Sequence, residues 1–148
     1  MKTSFAICSL NISAKKGEKK SPVDRIELRA DFGIVGDAHA CSGEARQVSL
    51  LAEEDIDTMR GRGIEISFGD FAENITTRGI RLSGLPLGAR LYLGDAVLEV
   101  TQIGKECHNG GCAIRKAVGE CVMPARGIFA RVLVGGEVDY ASPCSYDI

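Results

Sequence analysis

Cys107, His108, Cys112 and Cys121 fall within fifteen residues of one another, and the chain's other histidine, His39, stands two positions before Cys41. An imidazole or an ammonium beside a thiol favours the thiolate, the form that attacks or ligates. An unperturbed thiol with pKa near 8.5 is roughly 3% ionised at pH 7; lowering that pKa by about 1.5, worth roughly 2 kcal/mol, leaves it half ionised. Lys105 and His108 act in that direction on Cys107, and Glu106 opposes them. Cys107 comes before the loop-forming run Asn109-Gly110-Gly111, a setting that favours function over packing. Cys8, Cys41, Cys121 and Cys144 read instead as small buried hydrophobes. A second chemistry uses the same residues, since Cys107, His108, Cys112 and Cys121 are ligands that zinc accepts, although no Cys-x-x-Cys pair is present. That reading gives a zinc-stabilised binding module without turnover. Both readings stay open on the residues alone.

Composition limits what surrounds these groups. With 148 residues, 45% hydrophobic and 26% charged, the expectation is one globular domain over residues 1–148. No run approaches the roughly 18 apolar residues of a membrane span, and the N-terminus lacks the parts of a secretion signal. The expectation is therefore a cytoplasmic protein with no membrane partner and reduced thiols. The formal charge of -2 is uneven, about +4 over residues 1–30 and about -7 over 31–75 by the same counting. No Trp and only 5% aromatic residues argue against a nucleic-acid partner. The run Lys15-Lys16-Gly17-Glu18-Lys19-Lys20 reads as a solvated loop. Phosphate-loop, dinucleotide, zinc-protease and esterase signatures are all missing.

The elements that must position the chemistry are short. Residues 4–12 read as a buried strand, and Arg25-Ile26-Glu27-Leu28-Arg29 alternates so that Ile26 and Leu28 face a core. A third strand spans Gln47–Leu51. The period then changes, with Ala52, Ile56 and Met59 on one helical stripe and Gly61 or Gly63 as the left-handed stop. The three carboxylates of that helix's first turn serve the helix before any catalysis. Gly94-Asp95 and Gly135-Gly136 each predict a hairpin turn, and a second helix is expected at about Cys112–Val118. Short strands at regular spacing with two or so short helices give a mostly β fold, a partly closed β-barrel.

Several blocks in order then resemble the MOSC domain family: Gly36-Asp37-Ala38-His39; Arg46-Gln47-Val48-Ser49-Leu50-Leu51; Phe68-Gly69-Asp70-Phe71-Ala72-Glu73-Asn74-Ile75; Leu87-Gly88-Ala89-Arg90-Leu91-Tyr92-Leu93-Gly94-Asp95; and Val100-Thr101-Gln102-Ile103 leading to Cys107. Such domains occur at the C-terminus of molybdenum cofactor sulfurases and in amidoxime-reducing molybdenum proteins, and this chain is similar to a stand-alone form. The resemblance implies a β-barrel that binds a molybdopterin-type small molecule or transfers sulfur in cofactor or metal-sulfur cluster assembly. By that likeness Cys107 carries sulfur as a persulfide or ligates molybdenum, and His39 and His108 tune it. Glu73 and Asn74 match the family's acid-amide pair, which either contacts the cofactor or braces a turn. Arg78, Arg81 and Arg126 are the guanidinium forks for its phosphate. A cysteine desulfurase or a molybdoenzyme is the partner implied, with pyridoxal phosphate entering only through that partner. Glu106 stands where many cofactor-binding relatives have proline.

Overall fold

The computed structural model describes residues 2–15, 20–38, 40–61, 63, 65, 67–71, 73–103 and 127–147. Alternation makes the strands. In β3 (Arg25–Arg29) Ile26 and Leu28 are buried between exposed charges, the pattern of a strand with one wet face. β1 (Thr3–Ile12), β2 (Ser21–Val23), β4 (Gly33–Ile34), β5 (Val48–Ala52), β6 (Ile75–Arg78), β7 (Arg90–Leu93), β8 (Ala96–Ile103), β9 (Ile128–Val134), β10 (Gly136–Asp139) and β11 (Cys144–Asp147) complete the set. The larger sheet runs β11-β7-β8-β9-β5-β6-β1-β2, and β11 also pairs with β1, closing a barrel of seven strands with β2 appended. Closure removes the open edges that a free sheet would expose. Leu10, Leu50, Ile75, Leu91, Leu98 and Ile128 have no exposure inside it. A smaller sheet, β10-β3-β4, lies beside the barrel.

The β5–β6 pair is parallel, so it needs a crossover rather than a tight turn. Helix α1 (Glu53–Arg60) begins that crossover. Ile56 and Met59 are its buried stripe, with Leu51 and Phe71 buried outside the main core cluster. Gly61 is right-handed at φ -62, and Gly63 at φ +86 takes the left-handed stop. The Gly94-Asp95 turn joins β7 to β8 as expected. At Gly135-Gly136 the expectation is corrected. β10 pairs with β3, Gly136 facing Leu28 and Asp139 facing Arg25, and not with β9, whose edges are filled by β5 and β8. The helix expected near Cys112–Val118 lies outside the described residues.

Thr77 sits in β6 two residues after core Ile75, hence on the same inward face. It has no exposure, and its hydroxyl has no hydrogen-bond partner among the described residues. An unpaired buried hydroxyl costs more than it contributes. Thr77→Val should therefore raise the unfolding free energy by about 1 kcal/mol, measured by urea denaturation; a loss of stability would show that the hydroxyl is satisfied in solution.

Candidate functional site

The Glu73-Asn74 pair is placed first by the strands around it. Gln102 pairs with Phe129 and Phe129 with Ser49 across β8, β9 and β5. The row then continues through hydrogen bonds: the Asn74 N–H donates to the Ser49 carbonyl at 3.0 Å and the Asn11 N–H to the Asn74 carbonyl at 2.7 Å. The Asn74 amide oxygen accepts from the Ser49 N–H at 3.0 Å and from its hydroxyl at 3.1 Å. Its amide nitrogen donates to the Asn11 carbonyl at 3.1 Å. The Asn11 amide donates in turn to the Glu73 carbonyl at 3.2 Å. Glu73 accepts from the Thr76 hydroxyl at 2.9 Å and the Phe71 N–H at 3.2 Å. Both Glu73 and Asn74 have zero exposure. The polar atoms of both side chains are engaged inside the protein, the geometry of a brace, which is one of the two roles expected of the pair.

Burial pushes the Glu73 carboxyl above the ordinary carboxylate range, and the N–H groups of Gly69, Glu73 and Phe71 and the Thr76 hydroxyl offset this only in part. The loop carrying Phe71 is fixed at Gly69, whose φ is +90 and where a Cβ would meet the Lys20 carbonyl oxygen at 2.0 Å. Only glycine fits there.

Lys20 corrects the solvated reading of the basic run. Its Nζ lies 2.7 Å from Asp37 Oδ1 with both side chains fully buried. Asp37 Oδ1 also accepts the Ser13 N–H at 3.1 Å, and the Ala38 N–H donates to the Ser13 carbonyl at 2.8 Å. The Gly-Asp-x-His segment is thereby fastened to the end of β1. From there the chain runs to the far end of β8, where the Thr101 hydroxyl donates to the Ala45 carbonyl. Gln47 anchors the end of this stretch: its amide nitrogen donates to Asp31 Oδ1 at 3.1 Å and its amide oxygen accepts the Val132 N–H at 3.0 Å. Arg46, next to it, is exposed. Its Nε donates to Gln102 Oε1 at 2.8 Å, and its guanidinium carbon sits 5.3 Å from the Phe129 ring centroid.

The other site residues are distributed as follows. Arg78 is exposed, its Nε donating to Glu53 Oε1 at 2.6 Å and its Nη2 to Asp57 Oδ2 at 3.1 Å. Glu53 first and Asp57 after it raise the Arg78 pKa. Two carboxylates already hold the fork expected to meet a phosphate. Arg81 is exposed beside the 3-10 turn Leu82–Gly84. Among the cysteines, Cys144 is buried and burial pushes its thiol up to about 11. Cys8, the extra residue of a bulge in β1, is half-buried and raised by burial and by Glu53. Cys41 is exposed, so the expectation of a buried hydrophobe is corrected there; it sits in a turn-rich segment rather than on an alternating strand. Cys107, His39, His108, Arg126, Cys112 and Cys121 lie outside the described residues. The zinc reading, which rests on four of them, therefore gains no support.

The profile of the MOSC domain matches residues 37–141, well over half of the chain. The chain belongs to the MOSC family. Comparison with curated proteins gives no match. Among solved structures, the chain is similar to the YuaD protein of Bacillus subtilis, with 18% identity over 99% of this chain and 97% of that one and a TM-score of 0.82. It is also similar to YiiM of Geobacillus stearothermophilus (21% identity, 97% and 75% covered, TM-score 0.74). For YiiM of Escherichia coli the values are 18%, 99%, 70% and 0.64. At these identities the likeness shows the fold.

The MOSC match opens at Asp37 and takes in Arg46, Glu73 and Asn74. The family is linked to the molybdenum cofactor. Among the described residues no group of three His, Cys, Asp or Glu side chains could hold a metal ion, and no helix is long and apolar enough to cross a membrane. What these residues do fit is the anionic end of such a group, through the Arg46 guanidinium, with which no carboxylate pairs among the described residues.

Two outcomes follow from this geometry. Lys20→Met leaves a buried carboxylate without its ammonium and should cost about 3–5 kcal/mol of stability. Adding Asp37→Asn should restore part of that loss, because no buried charge is then stranded; a double-mutant cycle in urea measures it. For Glu73, a carboxyl raised by folding contributes fully below its ordinary value near 4.5 and loses that contribution as pH rises through the folded value. The stability difference between wild type and Glu73→Gln should therefore shift against wild type as pH rises above that point, read as unfolding free energies at a series of pH values. A difference constant with pH would refute the assignment.

Proposed function

We propose that this MOSC protein handles sulfur or the molybdenum cofactor through Cys107, either carrying sulfur as a persulfide or ligating molybdenum. The observation that supports the reading most directly is where the Cys107 segment is rooted. Ile103 ends β8 and Ile128 opens β9, and the two are cross-strand partners. The two strand ends that flank residues 104–126 therefore stand side by side, next to Gln102 and its partner Arg46. Four residues of chain span at most about 14 Å, so Cys107 stays within that distance of Ile103 in any conformation. The cofactor, when bound, supplies a metal centre with dithiolene sulfur ligands; Cys107 would be its protein thiolate and Arg46 a donor to its anionic end.

As a sulfur carrier, Cys107 needs no oxidant. Its thiolate attacks the terminal sulfur of a donor persulfide; the new bond joins Sγ to that sulfur, the donor's S–S bond breaks, and the donor leaves as a thiolate. The proton that Cys107 gave up is balanced by the one that the donor thiolate takes. His39 and His108 tune the thiol in this reading, and the donor is a cysteine desulfurase whose pyridoxal phosphate stays with the partner.

Incubation with a cysteine desulfurase and cysteine should add one sulfur atom to the peptide containing Cys107, seen by mass spectrometry under non-reducing conditions. Cys107→Ser should abolish the gain and Cys41→Ser should leave it intact. Sulfur appearing on Cys41 with Cys107 unmodified would refute the assignment, as would stoichiometric zinc whose chelation unfolds the protein.

A further inference from the structure

We propose that Arg46 is the anion receptor of the MOSC site and takes a tetrahedral oxyanion, such as a phosphate group, at the root of the Cys107 segment. The location beside that segment rests on the function proposed above. The anion contact itself rests on geometry.

Three observations carry it. First, Arg46 is oriented without being neutralised. Its Nε is engaged by the neutral amide oxygen of Gln102 at 2.8 Å, and its face lies over Phe129 at 5.3 Å. Phe129 is 5% exposed and fixed in the row that Ser49 and Asn74 hold. A guanidinium held along one edge and one face leaves its outer nitrogens as a planar pair of donors, the fork that matches an oxyanion. Ordering that side chain before binding reduces the entropy lost when a ligand arrives.

Second, three other forks are already occupied by acids. Arg78 is gripped by Glu53 and Asp57, Arg25 by Glu137 at 3.2 Å and Arg60 by Asp57 at 3.0 Å. An anion approaching any of these must displace a carboxylate. At Arg46 it meets no carboxylate among the described residues.

Third, a second guanidinium lies two residues along β9 from Phe129, on the same face of the strand. This is Arg131, whose Nε is buried with no hydrogen-bond partner among the described residues. Asp31 Oδ1, at 3.8 Å from that nitrogen, is already accepting from the Gln47 amide and the Gly43 N–H. Asp31 and Glu99, the cross-strand partner of Arg131, are the acids beside this guanidinium, so Arg46 is the cation next to Phe129 with which no carboxylate pairs among the described residues.

Nuclear magnetic resonance of the full chain, with inorganic phosphate and phenyl phosphate as separate probes, tests this directly. Both the Arg46 Nε–H and the Gln102 side-chain amide signals should move and saturate. Arg46→Gln should weaken binding by about tenfold or more, and Arg46→Lys, which keeps the charge but not the fork, should fall between. Arg29→Gln should change nothing: Arg29 is another exposed guanidinium over a ring, 5.4 Å from Phe32, but Glu27 lies 3.8 Å away. Tighter binding of phenyl phosphate than of inorganic phosphate would identify an esterified ligand, and equal affinity a free oxyanion; either supports the site. Absence of a saturable shift, or affinity unchanged within about twofold in Arg46→Gln, would overturn it. No sulfur chemistry enters the measurement, so a failure of Cys107 to load sulfur and a failure of Arg46 to bind an anion are separate results.

Discussion

The barrel depends on one side-chain amide. β5 and β6 are parallel among strands that otherwise pair antiparallel, and a parallel pair has no hairpin to set its register. Asn74 sets it by accepting from both donors of Ser49 on β5 and donating to Asn11 on β1, immediately before β6 begins. An aspartate could accept but not donate, and an apolar residue could do neither. Because Ser49 is in turn the partner of Phe129, the same amide fixes the strand face over which Arg46 lies. Fold and candidate site share this constraint, so damage at Asn74 reaches both.

Charge is arranged around that frame in two ways. Lys20 and Asp37 are taken fully out of water, where each is costly alone and tolerable only as a pair; together they tie the start of the MOSC match to the end of β1. The acids of α1 stay at the surface and gather Arg78, while the Gly79 N–H donates to Glu54 at 2.9 Å. An exposed pair of this kind adds little stability. Its consequence is electrostatic, since it cancels one of the guanidiniums that sequence alone nominates for phosphate, whereas Arg46 keeps its charge against a neutral amide.

Local patterns were legible where local physics decides. The alternation of Arg25–Arg29, the stripe of Ile56 and Met59 and the turn at Gly94-Asp95 each follow from spacing within a few residues, and each is found. What stayed hidden depends on partners distant in the chain. Lys20 reads as surface because its run is charged, and only the fold brings Asp37 to it. Gly135-Gly136 has the look of a hairpin, yet β9 is already paired on both edges and β10 must go to β3. The Glu73-Asn74 block was visible as a motif, but its bracing role needed Asn11 and Ser49, from two other strands. Arg46 was visible only as a letter in a block. Its signal is that neighbouring Gln47 is anchored inward, which no periodicity reveals.

A bulge re-aims the side chains at the end of β8. Val100 faces Ala130 and Gln102 faces Phe129, so Thr101 is the extra residue, the device by which a strand bends and re-aims its side chains. Freed from the ladder, the Thr101 hydroxyl reaches both the Ala45 carbonyl and the Phe129 carbonyl, the latter at 3.2 Å. Gln102, next along, turns its amide oxygen to Arg46. The ladder resumes at once with Gln102 facing Phe129 and Ile103 facing Ile128. The added residue thus joins the end of β8 to Ala45 and Arg46, so the anion donor is held to the strand from which the Cys107 segment departs.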